Sequence, residues 1–578
     1  MSVATGTMDR RSRRRQLLIA ATIVLMLAVT AGALVATSLG GGASTTAHPE
    51  IPVVSGVGAP KGVASTPADA GAAPLGTTSY DIQPGALFVS PSGDNDADGT
   101  REAPLRTIKA ALARAAAGGM IVLRAGEYHE AFTIAEGLPV TVQPYPGEVV
   151  WLDGSEIVDG WRADGELWTV PWGTVFDSSP TYTRGAPDNT EQHWNFVTAK
   201  HPLAAHPDQL WFDDVALTQV GERSEVTASR FFHDESAGML YLGTDPSSHT
   251  VRASTLQRAV SIRAEGSTIR GIGVRRFAPS VPDFGAITIE RAGATIENVV
   301  VTESATTGLF VTAANTTIRN VSAKDNGMIG VAANYADNLV IDGLKASGNN
   351  TEWFNRAPVA GGLKLTRSRT VEIRNSDFSD NTATGLWFDQ SCRDMTITGS
   401  TFVGNTGHGI FLEISARALI TDNYLADNGI YGMKINDTSS VEIRNNVVVG
   451  SRNAIAVLQD KRLKSNENES GHDERFLDDA AMTWVGTNIS ILSNTLVGSD
   501  DSLVWIEDYS RTRSARDFGI TVDNNLYVRS SETEPRTLID WPTNAIGVTP
   551  FSSLADFARS TGQEQTGVEL VGGSTVER

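Results

Sequence analysis

The chain of 578 residues contains one cysteine, Cys392, so no disulfide can form within it, even in an oxidising compartment. Because Cys392 directly follows an apolar segment, we expect a buried and unreactive thiol. Basic residues are also scarce, with 47 Lys and Arg against 67 Asp and Glu and a net charge of −20. Affinity for nucleic acid depends largely on phosphate neutralisation, so this composition argues against a nucleic-acid partner.

An uncharged, mostly apolar run from Leu17 to Leu39 follows five arginines that lie between residues 10 and 15. Basic residues before such a run orient it as a membrane or export segment. Its length suits a spanning helix of about 20 residues better than the shorter apolar core of a cleaved signal. The sequence therefore predicts a single N-terminal membrane anchor, with a secreted chain released from a cleaved signal peptide as the alternative. Either outcome places the remaining chain outside the cytoplasm.

Composition and periodicity divide the chain into six segments. They are a basic tail with the membrane segment (1–39), a flexible Gly-, Ala-, Pro- and Thr-rich linker (40–82), an N-terminal cap with the first coils (83–150), a tryptophan-rich β insertion (151–254), a repetitive region (255–560) and a C-terminal tail (561–578). In the cap, residues 87–90 and 120–124 are predicted strands and residues 107–115 a predicted amphipathic helix. Such a unit covers the exposed end of a stack of repeats.

A short strand recurs every twenty-odd residues through the repetitive region. Four copies are Gly362-Leu-Lys-Leu-Thr366, Gly385-Leu-Trp-Phe-Asp389, Gly409-Ile-Phe-Leu-Glu413 and Gly432-Met-Lys-Ile-Asn436. A second strand keeps the same period around an isoleucine in each repeat, and these isoleucines are Ile296, Ile318, Ile341, Ile373, Ile397, Ile420 and Ile443. This period, without a helical pattern between the strands, predicts an all-β parallel β-helix.

Asparagines recur at the turns with the same period, as Asn326, Asn349, Asn381, Asn405 and Asn428. Asparagine tolerates left-handed turn conformations, and stacked amides can hydrogen-bond along a solenoid. We expect these five side chains to form a ladder along the stack. Contact with a glycan is the alternative interpretation.

Alternate residues of the recurring strand face opposite sides of the sheet. One set is uniformly apolar and is predicted to form the core, as in Leu386 and Phe388. The opposite set is predicted to face solvent in two rows. The lysine–aromatic row contains Lys364, Trp387, Phe411 and Lys434, and the carboxylate row contains Thr366, Asp389, Glu413 and Asn436.

The two rows place carboxylates beside aromatic rings. Asp389 and Glu413 lie on adjacent coils, about 4.8 Å apart at the backbone, where like charges raise the pKa of at least one. A protonated carboxyl next to an ionised one is the division of roles that glycoside hydrolysis requires. Exposed Trp387 and Phe411 can form a platform for a sugar ring. Asp389 and Glu413 are therefore the predicted catalytic residues.

Further polar residues complete the predicted substrate site. Lys364 and Lys434 flank the carboxylates and can hold acidic sugar groups or take a proton, while His408 can add a hydrogen bond. Asn436 extends the carboxylate row. No cofactor is expected, although calcium held by Asp389, Glu413 and Asn436 is possible, because oxygen ligands suit that ion. A solvated face with a salt-bridge ladder is a further alternative. Two long interruptions, residues 350–361 and 459–483, are predicted to wall this face.

The segments Gly361-Gly-Leu-Lys364, Gly385–Asp389 and Gly409–Ser415 resemble the secreted bacterial right-handed β-helix proteins of the pectate-lyase-like superfamily. Residues 89–94 are similar to the N-terminal segment of these proteins. The resemblance implies a right-handed β-helix and carbohydrate as the substrate class, but a fold does not choose the chemistry. That superfamily includes glycoside hydrolases, polysaccharide lyases and uronate epimerases.

We expect an extracellular glycoside hydrolase that acts on a polysaccharide. A lyase or uronate epimerase on acidic glycans, relying on Lys364 or Lys434, is one alternative, and a non-catalytic glycan-binding solenoid is another. The sequence shows no aspartate cluster paired with a downstream Lys or Arg that matches the calcium-dependent pectate lyases.

Overall fold

The computed structural model describes residues 70–188 and 195–572, so the predicted membrane segment and most of the predicted linker lie outside the described residues. Most of the described chain winds into a right-handed parallel β-helix. No helix among these residues is long and apolar enough to cross a membrane. Each full coil contributes up to three short strands, which pair with the equivalent strands of neighbouring coils to give three parallel sheets. The predicted fold class is confirmed.

We name the three sheets by what they carry. The anchor sheet holds the recurring isoleucines, and its strands are Leu87–Val89, Gly119–Leu123, Val140–Pro144, Thr268–Arg270, Thr295–Glu297, Thr317–Arg319, Val340–Asp342, Arg369–Arg374, Arg393–Thr398, Ala416–Thr421, Ser439–Arg444, Ile489–Leu492 and Thr521–Asp523. The site sheet holds the two outward rows, and its strands are Phe132–Ile134, Val260–Ile262, Ile287–Ile289, Thr307–Val311, Ile329–Asn334, Gly361–Thr366, Thr384–Asp389, Ile410–Glu413, Tyr431–Asn436, Thr537–Asn544 and Gly547–Phe551.

The third sheet closes each coil, and its strands are Gly126–Tyr128, Val150–Asp153, Gly273–Arg275, Val300–Thr302, Ser322–Lys324, Lys345–Ser347, Thr401–Val403, Tyr424–Ala426, Leu526–Arg529 and Val568–Val571. Two long strands, Val447–Gln459 and Thr495–Asp508, run around the corner from the third sheet into the site sheet, with a break in register near Ser451.

The core lies inside the coils and follows the predicted register. Leu386 pairs with Leu363 in the preceding coil and with Ile410 in the next. All three side chains are almost fully buried, as are the recurring isoleucines of the anchor sheet. Cys392 is also fully buried, and burial raises the pKa of its thiol to about 12, which confirms the expected inert cysteine.

The predicted asparagine ladder is confirmed. The amide of Asn381, for example, donates to Asn405 Oδ1 at 2.9 Å and accepts from Asn349 Nδ2 at 3.0 Å. The ladder explains the glycine that precedes each site strand, because a Cβ at Gly385 would lie only 2.9 Å from Asn405 Nδ2. A second ladder, which the sequence analysis missed, joins Asn423, Asn446, Asn494 and Asn525.

The cap is also as predicted. Its helix, Ile108–Arg114, is capped by the side chain of Thr107 and packs beside the first two strands of the anchor sheet. Two further helices, Ala515–Phe518 and Leu554–Thr561, lie near the C-terminal end, and the short 3-10 helices are Arg223–Glu225, Val281–Asp283 and Glu474–Phe476.

The insertion forms two small, mostly antiparallel sheets. Their strands are Ser155–Ile157, Arg162–Asp164, Leu167–Pro171, Leu210–Phe212, Val215–Ala216, Thr218–Val220, Arg230–Asp234, Met239–Leu242 and Val251–Ser254. Two predicted boundaries shift. Residues up to Asp153 pair with the third sheet, so the insertion begins later than residue 151. The predicted tail contributes Val568–Val571 to that sheet, so the solenoid continues beyond residue 560.

Candidate functional site

Four neighbouring strands of the site sheet bring the predicted residues together. The lysine–aromatic row is continuous, because Lys364 pairs with Trp387, Trp387 with Phe411 and Phe411 with Lys434. In the carboxylate row, Asp389 pairs with Thr366 and Glu413 with Asn436. Phe388 pairs with Leu412 on the adjacent strand, and Asp389 and Glu413 are the residues that directly follow this pair. The register derived from the sequence is therefore confirmed at the site.

The predicted solvent exposure of these rows is wrong. Trp387 and Phe411 are each 5% exposed, Asp389 is 3% exposed and Glu413 is 6% exposed. The side chains do point away from the core of the solenoid, but other segments cover them. The removal of either carboxylate is therefore a change inside a buried cluster, not on an open surface.

Both predicted loops form part of this cover. In the loop 350–361, the carbonyl of Pro358 accepts a hydrogen bond from Lys364 Nζ at 2.6 Å. In the loop 459–483, the carbonyl of Gly471 accepts from Ser391 Oγ at 2.8 Å, directly after the Asp389 strand. The insertion adds a third wall, which was not predicted. Phe196 and its neighbours pack on the outward side of the preceding coils, where Phe310 lies.

The lysine–aromatic row is stacked along its whole length. Lys364 Nζ lies 3.4 Å from the centre of the Trp387 ring, and the Trp387 and Phe411 rings stack with centroids 5.0 Å apart. Lys434 Nζ lies 4.2 Å from the centre of Phe411 on the next coil. Both faces of each ring are therefore in use for cation–π and aromatic contacts. The predicted sugar platform is wrong in this arrangement, and only the ring edges can line a site.

Asp389 is held by a buried ion pair. Its Oδ2 lies 2.8 Å from Lys364 Nζ, and its Oδ1 accepts a hydrogen bond from the backbone N–H of Gln390 at 2.7 Å. A buried carboxylate needs such partners, because its charge loses the hydration of water. The lysine that was predicted to contact substrate instead neutralises Asp389.

Glu413 contacts an arginine that the sequence analysis missed. Arg462 Nη2 lies 2.7 Å from Glu413 Oε1, 2.9 Å from Asp437 Oδ2 and 2.8 Å from Asp460 Oδ2. Arg462 and Asp460 belong to the loop 459–483. This loop has no repeat from which the packing position of its side chains could be predicted. Asp437 directly follows the predicted Asn436, but it lies just beyond the alternation on which the carboxylate row was based.

Burial dominates the acid–base properties of the cluster. It raises the pKa of Glu413, against the opposing effect of Arg462 and with the support of the nearby Asp389 carboxylate. Burial also raises the pKa of Asp437 well above its usual value and lowers that of the Lys434 amine. The site therefore contains a carboxyl with a raised pKa beside one in an ion pair with lysine. This arrangement can donate a proton to an oxygen and stabilise positive charge nearby.

His408 and Asn436 both lie at this cluster. The His408 ring stacks on Tyr431 and meets the edge of Phe411, each at a centroid distance of 5.1 Å. Burial lowers the pKa of His408 well below its usual value, so the ring is neutral. Asn436 Nδ2 donates to Asp437 Oδ2 at 2.9 Å, within the carboxylate cluster.

One group of side chains among the described residues has metal-ligand geometry. It comprises His206, Asp208 and Glu235 in the insertion, with ligand atoms within 4.8 Å of one another. In the candidate site, protein cations already lie against Asp389 and Glu413 and would compete with a metal ion. Calcium at the site therefore stays a prediction.

Comparisons with known proteins agree with this architecture. Residues 284–448 match a family model described as a right handed beta helix region, and residues 91–203 match one described as a protein of unknown function. The solved complex of XylC with xylose superposes with a TM-score of 0.58 at 15% identity, over 77% of this chain and 83% of that chain. The chain therefore has a right-handed parallel β-helix fold.

Two curated relatives of this β-helix protein match over short stretches. The uncharacterized protein YwoF of Bacillus subtilis (strain 168) is 36% identical over 77 residues, which is 13% of this chain and 16% of YwoF. Pectate lyase PEL9 of Emericella nidulans is 39% identical over 77 residues, which is 12% of this chain and 19% of PEL9. The chain spans less than a fifth of the length of either relative.

Proposed function

We propose that the protein is an extracellular glycoside hydrolase in which Glu413 is the general acid and base and Asp389 is the carboxylate that stabilises or attacks the anomeric carbon. The observation that carries this proposal is the pairing of two unlike carboxyls on adjacent coils. Burial raises the pKa of Glu413, whereas Asp389 lies in an ion pair with Lys364. A carboxyl that can give up a proton beside a carboxylate that can stabilise or attack the sugar is the requirement for glycoside hydrolysis.

The mechanism follows from these roles. Glu413 gives its proton to the glycosidic oxygen as the bond from that oxygen to the anomeric carbon breaks, and Asp389 meets the positive charge that develops on the sugar. A water molecule then attacks the anomeric carbon from the face that the leaving group vacated, displaces Asp389 and returns a proton to Glu413. Neighbouring strands lie about 4.8 Å apart, which is close to the carboxyl separation of about 5–5.5 Å in retaining enzymes. Retention of anomeric configuration is therefore the proposed outcome.

The charges of the site favour a neutral sugar. Four carboxyl groups, Asp389, Glu413, Asp437 and Asp460, are gathered with three basic groups, Lys364, Lys434 and Arg462. Lys364 and Arg462 are already paired with Asp389 and Asp460, so neither cation is free for the carboxylate of a uronic acid. The structural neighbour XylC was solved in complex with xylose, which is a neutral sugar, in keeping with this choice.

A lyase or uronate epimerase is the second candidate, and one observation favours it. Burial lowers the pKa of the Lys434 amine, and an amine that loses its proton more easily can act as a base. Lys364 is less suited to that role because it lies in an ion pair with Asp389. A lyase would release an unsaturated product that absorbs ultraviolet light, whereas hydrolysis would not.

The test uses the purified full-length chain on a panel of neutral and acidic polysaccharides, with the products separated and identified. Asp389→Asn and Glu413→Gln should each lower turnover by about 10²-fold or more, because each removes a reacting group. Glu442→Gln is the matched control, since this acid is 48% exposed in the anchor sheet. Thermal melts of all variants separate loss of chemistry from loss of folding. Full activity in both site variants would overturn the hydrolase proposal.

We also propose that residues 17–39 anchor the enzyme in the membrane with the solenoid outside the cytoplasm. Support comes from the length of the apolar run and the arginines before it. The expected result is that the full-length protein sediments with membranes. A mature chain that begins after residue 40 would show cleavage and contradict the anchor.

A further inference from the structure

Arg462 uses Nε and Nη2 of its guanidinium to contact carboxylates and leaves Nη1 unpaired among the described residues. The residue is 3% exposed, and its Nη2 contacts the carboxylates of Glu413, Asp437 and Asp460. Its Nη1 is buried and has no hydrogen-bond partner among the described residues. A buried donor without a partner costs about 1–3 kcal/mol, so such atoms call for an explanation.

Two more unpartnered nitrogens lie in the same site. Trp387 Nε1 and His408 Nδ1 are buried and have no hydrogen-bond partner within the part of the chain that the structure describes. Trp387 stacks on Phe411, and His408 meets the edge of that same ring. Three buried nitrogens without partners among the residues of this site point to a polar ligand that completes them.

We propose that Arg462 is a substrate-binding and positioning residue, whose Nη1 donates to an oxygen of the sugar bound beside Glu413 while Nη2 fixes the Glu413 carboxyl. This inference rests on the proposed hydrolase function. The guanidinium is planar with donors in a fixed fork, so one group can serve both partners at once. Neither lysine of the site offers that geometry.

The chemistry of the bound oxygen follows from the charges around Arg462. Three carboxyl groups surround this one guanidinium at 2.7 to 2.9 Å. Arg462 lowers the pKa of Asp460 against the effect of burial and is already paired with that carboxylate, so it offers little net attraction to a sugar carboxylate at the same place. The oxygen bound by Nη1 is therefore a hydroxyl, ring or glycosidic oxygen of a neutral unit.

Arg462 reaches the site only when its loop is seated on the solenoid. At the outer rim, Arg475 of the same loop contacts Asp337 at 2.7 Å and Asp473 at 2.9 Å. Arg369 on the anchor sheet also contacts Asp473, at 3.2 Å. These rim contacts hold the loop without touching the carboxylates of the site. Arg475 therefore supplies a matched control, because its loss removes a loop arginine and its ion pairs but leaves Arg462 in place.

The test compares Arg462→Lys, Arg462→Gln and Arg475→Gln on the glycan that the wild type cleaves. Hydrogen bonds to charged groups are worth about 1.5–3 kcal/mol, so both Arg462 variants should raise KM by about 10- to 100-fold. Arg475→Gln should change KM by less than about 3-fold, since Arg369 still pairs with Asp473 and keeps the loop on the solenoid.

The pH profile separates binding from positioning. The charged groups that face Glu413 are Arg462, Asp389, Lys434 and Lys364. Among them, the charge of Arg462 has the largest effect, and it favours the ionised form of Glu413. Arg462→Gln removes this effect and leaves burial, so the pKa of Glu413 rises and the basic limb of kcat/KM moves to higher pH. Arg462→Lys keeps the charge and should leave that limb in place.

The outcomes are distinguishable. An active wild type with unchanged KM in both Arg462 variants would overturn the role of Arg462 and leave the hydrolase proposal standing. An equal rise in KM in Arg475→Gln would show that any loosening of the loop suffices, which also contradicts a specific role for Arg462. A wild type that neither cleaves nor binds any glycan of the panel would overturn the proposed function and this inference together.

Discussion

Replacing Asn381 with alanine tests how much the asparagine ladder contributes to the stability of the solenoid. The Asn381 amide donates to Ala346 O at 3.0 Å and to Asn405 Oδ1 at 2.9 Å. Its oxygen accepts from the backbone N–H of Asn349 at 3.1 Å and from Asn349 Nδ2 at 3.0 Å. Asn381→Ala therefore removes four hydrogen bonds from a fully buried position.

The magnitude follows from the donors that remain. The backbone N–H of Asn349 and one hydrogen of its amide lose their acceptor, and a buried donor without a partner costs about 1–3 kcal/mol. The small cavity left by the amide adds to this loss. We expect the free energy of unfolding to fall by about 3–5 kcal/mol.

The assay is denaturant unfolding followed by circular dichroism, with the midpoint and slope compared between variants. Thr396→Val on the next coil is the control, because this half-buried side chain faces outward in the anchor sheet and its branched shape is kept. The control should change the free energy by about 0.5 kcal/mol or less. A loss below about 1 kcal/mol in Asn381→Ala would refute the reasoning and leave these asparagines a role in turn geometry alone.

Two further predictions concern the charged clusters. Lys364→Met should lower the free energy of unfolding by about 3–5 kcal/mol, because it leaves Asp389 as an unpaired buried carboxylate. The double variant Lys364→Met with Asp389→Asn should recover much of that loss in the same denaturation assay. An equal loss in the double variant would contradict the ion-pair account. Burial raises the pKa of Asp473, but the hydrogen bonds from Arg475 have the opposite effect, and the net result is a pKa below the usual 3.8. The stability that this carboxylate contributes is present above pH 3.8 and is lost as the pH falls below it. Hydrogen exchange in residues 459–483, corrected for intrinsic rates, should therefore be faster at low pH than at neutral pH in the wild type. In Asp473→Asn it should already be fast at neutral pH. Slow exchange in both cases would show that other contacts hold the loop.

The register of the site sheet could be predicted because two periods overlap in the sequence. Alternation along each strand separates Leu386 and Phe388 from Trp387 and Asp389, and the repeat of about 23 residues stacks equivalent positions. Sheet neighbours then follow without any knowledge of tertiary packing. The lysine–aromatic and carboxylate rows were therefore placed correctly.

The burial of those rows could not be predicted in the same way. It depends on the insertion and on two loops, none of which has a period that reveals where it packs. Phe196 contacts the outward side of the solenoid although it lies more than a hundred residues before Phe310 in the chain. Exposure inferred from alternation alone assumes that nothing covers the sheet. Here three separate segments do.

The arginine and aspartates around Glu413 were missed for related reasons. Arg462 comes from an aperiodic loop, and only the folded chain places it on Glu413. Asp437 follows its strand with a left-handed backbone, at φ 49°. That conformation ends the regular alternation of the strand. The side of the sheet to which the Asp437 side chain points could therefore not be predicted from its position in the sequence. Asp389 and Glu413 could be placed from the sequence because they lie within the strands themselves.

The most direct test of the central claim is cleavage in water enriched in oxygen-18. If Asp389 and Glu413 hydrolyse a glycosidic bond, mass spectrometry should find one solvent oxygen in the new reducing end for each cleavage, and Asp389→Asn should abolish this product. A lyase would instead yield an unsaturated end without the label, and a binding protein would leave the polymer intact. Fragments that carry no oxygen-18, or labelled fragments formed equally by Asp389→Asn, would contradict the account.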